Sequence, residues 1–577
     1  MIHLSSKIIS RLGVAATFIL GTVAGNQFRK HREKVLVDSG STVELRQEDA
    51  DEWFIEEKRS SIISKIYTRL QRQSINTACS DGVTESYMEI GKQTCQQYLQ
   101  YRDLLEESSE LWIKKWLGAT EWIDTVDFWP RPPALQLLSS PTYFAALFAG
   151  VRALWYITCS SDFNKENSFL DSDLAMTLKQ VVEEKDDYVT PLTLKIIANV
   201  IALKKDVHLI HEAGLVDTLK HCANNKESQI FLPAWRALHN LQNTTDKKSA
   251  CRNLYLEGVY PFVLPDKKKA PLVDIILVHG IKGGAAWTWR QHDQERQRPL
   301  LSQENRRDIL KGLHKEVVDE FYTCCWPLDW LVPSLNIPVR VIAVNFKCGW
   351  WRWEKECSIE GRGKSIISHS RDLARALTAA GVGERPIIWI SHSMGGLLVK
   401  NMLVMDLENE ASGVDNEFGA GYREGKCFSE ANNSQCVVNN SLAKETLATV
   451  FFSVPHHGSP LATYVTQGVL RLLLQPTREL CEMRTDNQAL HLLHKSFTSL
   501  VKAQDIAVLT LNESAPVLHK TTGYPLHFVP SEFGDPGIGV FYEADSTHLD
   551  ICKPLNRNSD SYQKVASFLQ AALSKLK

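Results

Sequence analysis

Three things are scarce in this chain, and each scarcity closes off a class of function. Charge of one sign is missing: over 577 residues the formal net charge is −2, so no basic excess points to a nucleic-acid partner. Metal-ligand spacing is missing: the 13 cysteines are scattered without a C-x-x-C pair or a Cys/His cluster of zinc spacing. Cys324-Cys325 are sequence neighbours that read as free thiols rather than as a bridge. No metal and no other cofactor is therefore expected, and the compartment is reducing or one in which thiols do not matter. A full bilayer-crossing run is also missing near the start. Leu12 to Gly25 (LGVAATFILGTVAG) is uncharged but only 14 residues long, where about 20 are needed. Lys7 and Arg11 precede it, Arg29, Lys30 and Arg32 follow, and no acid comes before Glu33. A cleaved secretory signal, a mitochondrial presequence and a short uncleaved anchor all compete for this segment. Basic residues directly after the apolar run disfavour a signal cleavage site, so residues 1–32 are expected to be a membrane anchor or a mitochondrial targeting segment.

What is present is ordinary folded-protein composition, 44% apolar and 23% charged, in a chain too long for one core. The strongest local signal is WISHSMGGLLVK, Trp389 to Lys400. Pro386 opens a wholly apolar run, Ile387 to Ile390, that reads as a strand buried on both faces of a parallel sheet. Leu397, Leu398, Met402 and Leu403 then recur at helical spacing. Between them Ser391-His392-Ser393-Met394-Gly395 is a form of the G-x-S-x-G elbow with Ser391 in place of the first glycine. Small residues two before and two after the nucleophile are required because a strained strand-to-helix turn leaves no room beside it. The helix N-terminus beneath Ser393 can stabilise an oxyanion.

Residues 38–260 read as an all-α domain. Trp112, Trp116 and Trp122 look like core aromatics, and Trp129 to Pro133 marks a turn or linker. LKIIANVIAL from Leu194 and AWRALHNLQN from Ala234 place Asn199 and Asn240 41 residues apart, within the armadillo range. Ile210 to Cys222 looks like an inter-helix segment punctuated by glycine. Fewer than three repeats leave an unrelated helical bundle open as the alternative. Pro265 to Pro271 is a charged, proline-bounded boundary. Beyond it, residues 271–577 alternate strand and helix: strands at Val273 to Val278, Val339 to Phe346, the elbow strand, Leu447 to Val454, Ile506 to Leu511 and Leu526 to Pro530. Helices fall at Ser365 to Ala380 and Tyr562 to Leu576. This is an α/β-hydrolase fold, a mostly parallel sheet with helices on both faces, preceded by an armadillo-like helical domain. Residues 408–440 read as a surface insertion. Thr463 to Leu480, with GVLRLLLQP at its centre, is a lid, a membrane-facing helix or a helix packed on the sheet.

Ser393 needs a histidine base and an acid in the chain order Ser, acid, His. His548, after the last strand, is the base. Glu513, after the strand ending at Leu511, is the expected acid, with Asp535 the alternative and Asp545 also beyond the following strand. His456 and His457 face the wrong side for a base but are candidates to line the site, and His392 is expected under the turn. The oxyanion hole takes one N–H from Met394 and one from the His279-Gly280-Ile281 turn, with Ile281 the donor. Asn432, Asn439 and Asn512 carry glycosylation patterns. A glycan on Asn512 would crowd Glu513.

WISHSMGGLLVK, SVPHHGS (Ser453 to Ser459), THLDICKP (Thr547 to Pro554), AAGVGERPIIWI before the elbow and CWPLDWL (Cys325 to Leu331) together resemble the serine active site-containing protein 1 family. The resemblance is dense from about Asp274 onward and looser over the helical half. It implies a lipase-like α/β-hydrolase of mitochondria and endoplasmic reticulum, linked to phosphatidylglycerol remodelling and cholesterol handling. Its elbow likewise has serine in the first glycine's place. The expectation is a membrane-associated serine hydrolase of the lipase, esterase or acyltransferase type. A membrane lipid would be its substrate and a protein partner would sit on the helical half. The alternative is a non-catalytic scaffold with vestigial chemistry.

Overall fold

The computed structural model describes residues 47–76, 88–96, 99, 141–159, 169–203, 206–225, 227–245, 254–263, 270–291, 324–350, 364–412, 441–467, 471, 475–518 and 525–576. Several expectations fall outside these residues: the segment 1–32, the three tryptophans 112, 116 and 122, the 129–133 turn, most of the 265–271 boundary, residues 413–440 of the insertion, and most of the GVLRLLLQP run. Among the described residues no helix is long and apolar enough to cross a membrane.

Residues 58–516 and 527–577 form one compact unit. Its helical part comprises α1 (Gln47–Asn76, from Lys58 on), α2 (Pro141–Cys159), α3 (Ser172–Glu183), α4 (Val189–Leu203), α5 (Val207–Glu212), α6 (Leu215–Ala223) and α7 (Ser228–Thr245). α4 is apolar nearly all round, and a helix of that kind belongs inside a bundle. Ile196, Ile197, Val200 and Ile201 are buried with Leu178, Leu219 and Ala237 from its neighbours. Asp171 caps α3 by accepting the Leu174 N–H at 2.8 Å, a stabilisation of about 1 kcal/mol. The glycine anticipated between helices is Gly214, at φ +69° between α5 and α6, a left-handed position that suits a residue without Cβ.

The rest of this unit is built on a seven-strand sheet with order β1-β3-β2-β4-β5-β6-β9. The strands are β1 (Val259–Val263), β2 (Val273–Val278), β3 (Val339–Val344), β4 (Ile387–His392), β5 (Thr446–Phe452), β6 (Ala507–Glu513) and β9 (Val540–Ala544). β1 is antiparallel to β3 and every other pairing is parallel. β2, β3 and β4 are buried at every position, which is why they read as continuous apolar runs rather than as alternating ones. α8 (Ile366–Ala379), α9 (Met394–Ser412), α10 (Pro460–Val465), α11 (Arg478–Glu482), α12 (Gln488–Gln504) and α13 (Asp560–Ser574) complete it. One apolar cluster joins α8, α9 and α12 to one face of the sheet, and another joins α13 to the opposite face. This is the mostly parallel, doubly covered sheet of an α/β-hydrolase. The two-residue strands β7 (Val517–Leu518) and β8 (Pro525–Leu526) pair with each other and belong, with the described residues 47–57, to a second unit.

One strand assignment needs correction. Leu526 to Pro530 contributes no strand to the main sheet, whose last member is β9. The backbone of Phe528 and Val529 bonds to side chains instead of a ladder. Their N–H groups donate to Glu513 Oε1, and their carbonyls accept from Ser459 Oγ and Asn512 Nδ2. β9 escaped notice because it is a partly exposed edge strand without an apolar run. The first five residues assigned to the insertion, 408–412, continue α9.

Within this sheet Asp274 and Arg340 sit opposite each other on β2 and β3, both buried. Arg340 Nε donates to Asp274 Oδ1 at 2.8 Å, and Arg385 Nη1 donates to the same oxygen at 3.1 Å. Arg340 also donates to the Ala380 and Gly381 carbonyls, at 2.6 and 3.1 Å, tying the end of α8 to the strands. Removing one partner of a buried pair strands the other charge, at a cost of about 3–5 kcal/mol. Asp274→Ala should lower the unfolding free energy measured by chemical denaturation by an amount in that range. A change under about 1 kcal/mol would mean that water or relaxation satisfies both arginines.

Candidate active site

Ser393 stands between β4 and α9 at φ +53°, a strained conformation for a residue with a Cβ. The surroundings explain both the strain and the glycines. A Cβ on Gly395 would lie 2.4 Å from the His279 carbonyl oxygen and 2.5 Å from that of Val278. One on Gly280 would lie 2.7 Å from Ser393 Cβ. Ser391 is wholly buried and its hydroxyl donates to the Val450 carbonyl at 3.3 Å, so this elbow position takes a small side chain. The Ser393 N–H donates to the Phe452 carbonyl at 2.9 Å, which pins the turn to β5.

The structure brings Ser393, His548 and Glu513 together in one line. Ser393 Oγ lies 3.0 Å from His548 Nε2. His548 Nδ1 bonds Glu513 Oε2. An ionised carboxylate only accepts, so Nδ1 carries the proton and Nε2 is left to accept from the serine hydroxyl. Glu513 closes β6, its own N–H donates to Ser453 Oγ at 3.0 Å, and its Oε1 accepts from Phe528 and Val529 at 2.8 and 3.0 Å. Burial alone would raise the Glu513 pKa. The adjacent His548 and these backbone donors outweigh it, and the carboxyl is held below its ordinary value of 4.5. Phe528 stacks on the His548 ring with centroids 4.9 Å apart. His392 Nε2 donates to the His548 carbonyl at 2.9 Å, so the residue before the nucleophile holds the backbone of the histidine. Burial keeps the His392 ring neutral, well below its ordinary value.

Met394 opens α9 directly after Ser393, and Ile281 lines the cavity above the serine. In the same turn the Lys282 N–H donates to Cys348 O and the Gly283 N–H to Gly280 O. His279 Nδ1 bonds the Gly280 carbonyl at 2.7 Å and its Nε2 accepts the Phe346 N–H at 3.2 Å, bracing the turn. The cavity, about 370 Å³, opens over Ser393 and His548. Trp287, Trp350, Leu480, Met483 and Phe528 line it, with Lys282 and Lys553 also on its wall.

Asp535 lies elsewhere. Its Oδ1 accepts the Gly537 N–H at 2.8 Å, and the carboxylate on His548 is Glu513. His456 and His457 do not line the cavity, contrary to expectation. Pro455 reaches it, and the chain then turns away through Gly458 at φ +92°, burying His456 against Lys400. Asn512 is wholly buried in β6 and donates to the Val529 carbonyl, so the folded protein has no room for a glycan there. Phe528 and Ser453 escaped sequence reasoning. Ser453, at φ +43°, had a signal in the SVPHHGS turn, whereas Phe528 had none. Among the described residues no His/Cys/Asp/Glu group could hold a metal ion.

No family model matches the chain. Its curated homologues are named protein SERAC1. The human protein is 34% identical over 384 residues, 66% of this chain and 51% of that protein. The Danio rerio protein is 33% identical over 383 residues, 66% and 50% of the two. The chain thus spans about half the length of the curated relatives it matches. Among solved structures, the propeptide form of Bacillus licheniformis lipase BlEst2 is similar at a TM-score of 0.30 and 12% identity, covering 53% of this chain and 52% of that one. Phospholipase PlaB from Legionella pneumophila is similar at a TM-score of 0.24 and 13% identity, covering 44% and 42%. Likenesses this low add nothing to the fold that the sheet order already establishes.

The lowered Glu513 pKa fixes a sign. A carboxyl held below its unfolded value of 4.5 stabilises the fold fully above that pH, and the contribution fades as pH falls through the folded value. Acid unfolding of Glu513→Gln should therefore be less steep below about pH 4.5 than that of the parent, in chemical denaturation across pH 3 to 6. Parallel acid limbs would remove the charge from this carboxylate.

Proposed function

We propose that this chain is a serine hydrolase of the lipase or esterase type that transfers an acyl group from an ester to Ser393 and then to water or another alcohol. The observation that carries the reading is the continuous hydrogen-bonded line Ser393 Oγ, His548 and Glu513 on an elbow strained for the purpose. His548 takes the serine proton as Oγ attacks the carbonyl carbon, and Glu513 stabilises the imidazolium. The N–H groups of Met394 and Ile281 are the proposed donors to the oxyanion. His548 then returns the proton to the leaving oxygen, and an incoming hydroxyl repeats the sequence to release the acyl group.

The substrate reading is a membrane acyl lipid. The apolar wall of Trp287, Trp350, Leu480, Met483 and Phe528 suits an acyl chain, and Lys282 and Lys553 suit an anionic headgroup. Exposed Leu549 and Leu555 beyond His548 suit contact with a lipid surface. The resemblance to the serine active site-containing protein 1 family supports the finer proposal: phosphatidylglycerol remodelling at contacts between mitochondria and endoplasmic reticulum, with a bearing on cholesterol handling. The helical half would bind a protein partner.

Ser393→Ala should abolish labelling by a fluorophosphonate probe while leaving circular dichroism unchanged, and equal labelling would remove Ser393 from the mechanism. Glu513→Gln should lower kcat by about 10⁴-fold with little change in KM, because orientation and charge both act in the transition state. Asp535→Asn should stay within a small factor of the parent. An inactive Asp535→Asn beside an active Glu513→Gln would reverse the assignment. Deleting residues 1–32 should move the protein from the carbonate-resistant pellet to the soluble fraction. If the shortened chain still pellets, another surface carries the attachment.

A further inference from the structure

α9 carries a lysine where the fold would ordinarily place an apolar residue. Lys400, two turns beyond Ser393, is wholly buried. Its Nζ lies 2.9 Å from His494 Nδ1 and 3.2 Å from His456 Nδ1, with the Phe497 ring centroid at 5.5 Å. Among the described residues no carboxylate pairs with it. An ammonium only donates, and a neutral amine still has two donors. Against the ammonium both Nδ1 atoms accept and both imidazoles carry their proton on Nε2, and the two N–H groups of the neutral amine suffice to keep the same two bonds. The Pro536 backbone lies near enough to the His494 ring to oppose its loss of basicity. Proline has no N–H, so only its carbonyl can face the ring, and with Nδ1 taken by Lys400 the group that can meet it is Nε2–H.

The same loop is held at two further points. His457, whose ring meets that of His494 edge-on at 4.5 Å, bonds the Asp535 carbonyl through Nε2 at 3.2 Å and donates its N–H to the Phe533 carbonyl at 3.1 Å. Phe533 and Gly534 are in turn bonded to the Pro530 carbonyl at 2.9 and 3.0 Å, which makes Ser531–Gly534 one helical turn. The other end of this stiff segment is Phe528-Val529, whose N–H groups grip Glu513 and whose phenyl ring stacks on His548. Gly534 leaves no slack against β6, since a Cβ there would lie 2.2 Å from Asn512 Oδ1.

We propose that Lys400 is a positioning residue for the hydrolytic site: by fixing the Nε2–H tautomer of His494 and holding that ring against His457 it clamps residues 528–536, and through them the orientation of Glu513 and His548. This rests on the reading of Ser393, His548 and Glu513 as the catalytic line. The groups facing one another are Lys400 from α9, His456 and His457 from the turn after β5, His491 and His494 from α12, and Asp535 from the loop. Burial pushes Lys400 down to about 7, His494 down to about 3 and His456 well below its ordinary value, so these three groups together hold no more than one positive charge at neutral pH. Because the amine donates in both of its states, the clamp persists through the titration of Lys400. Its loss in a variant should then be equally costly at pH 6 and pH 8.

The test uses the full chain, p-nitrophenyl butyrate as ester and a fluorophosphonate probe, with the parent, Lys400→Met, His494→Phe and the double variant. His494→Phe keeps the ring against His457 and removes both nitrogens. Each single variant should lower kcat about tenfold or more with KM within about twofold, by similar factors at both pH values. The double variant should be no worse than His494→Phe alone, since both break one link. In imidazole ¹⁵N spectra Lys400→Met should erase the fixed Nε2–H pattern of His456 and His494. A parent-like kcat for Lys400→Met, or a double variant equal to the product of the singles, would overturn the proposal. If Lys400→Met does not fold, His494→Phe decides alone, and a parent-like kcat there overturns it. A parent that neither labels at Ser393 nor turns over the ester sinks the hydrolase reading itself. A labelled, active parent with indifferent variants sinks only the role of Lys400.

Discussion

The rest of this structure depends on one close approach: the backbone around Ser393 pressed against the end of β2. Gly395 meets the carbonyls of Val278 and His279 with no space for a Cβ, and Gly280 meets Ser393 in the same way. That contact forces Ser393 to φ +53°, a strain of about 1–3 kcal/mol, and it survives because β4 is buried among parallel neighbours on both sides. The strain points the hydroxyl away from the sheet and toward His548. The Asp274–Arg340 pair serves the same strands from the opposite end, holding β2, β3 and the end of α8 in register.

The helical half is joined to the sheet through polar contacts as well as apolar ones. Asn240 on α7 donates to the Tyr255 carbonyl and accepts the Tyr255 N–H, each at 2.9 Å. The buried Arg236 meets Glu257 at 2.7 Å, and Lys195 approaches the same carboxylate at 3.6 Å. Glu257 lies just before β1, so these groups seat α4 and α7 on the β1 edge. Burying charge in this way costs desolvation that only good pairing offsets. Here three cations, Arg236, Lys195 and Lys347, keep the Glu257 carboxyl below its ordinary value against burial that would raise it. The asparagine that looked like a repeat marker is therefore a joint between the helices and the sheet.

Much of the site was legible because chemistry and backbone geometry coincide in short stretches. The elbow needs small residues at fixed offsets, so SHSMGG announces Ser393. A carboxylate closing a buried strand and a histidine after the last strand follow from the order of the fold. Glu513 and His548 were found this way even though that strand was misplaced, because the true one, Val540–Ala544, also precedes His548. What could not be read was whatever depends on backbone groups bonding to distant side chains. Phe528-Val529 looks like a strand by composition but is held by Glu513, Ser459 and Asn512. Lys400 is a surface residue by type, and only its burial between His456 and His494 shows otherwise.

The proposed chemistry stands or falls on acylation of Ser393 through His548 and Glu513. The most direct measurement is to mix the protein with excess p-nitrophenyl butyrate, quench in acid within the first turnovers, and map the added mass by peptide mass spectrometry. One butyryl group is expected on the peptide containing Ser393, formed with a burst of p-nitrophenol and lost as the ester is exhausted. Steady hydrolysis with no adduct on that peptide, or with the adduct on another side chain, would contradict it.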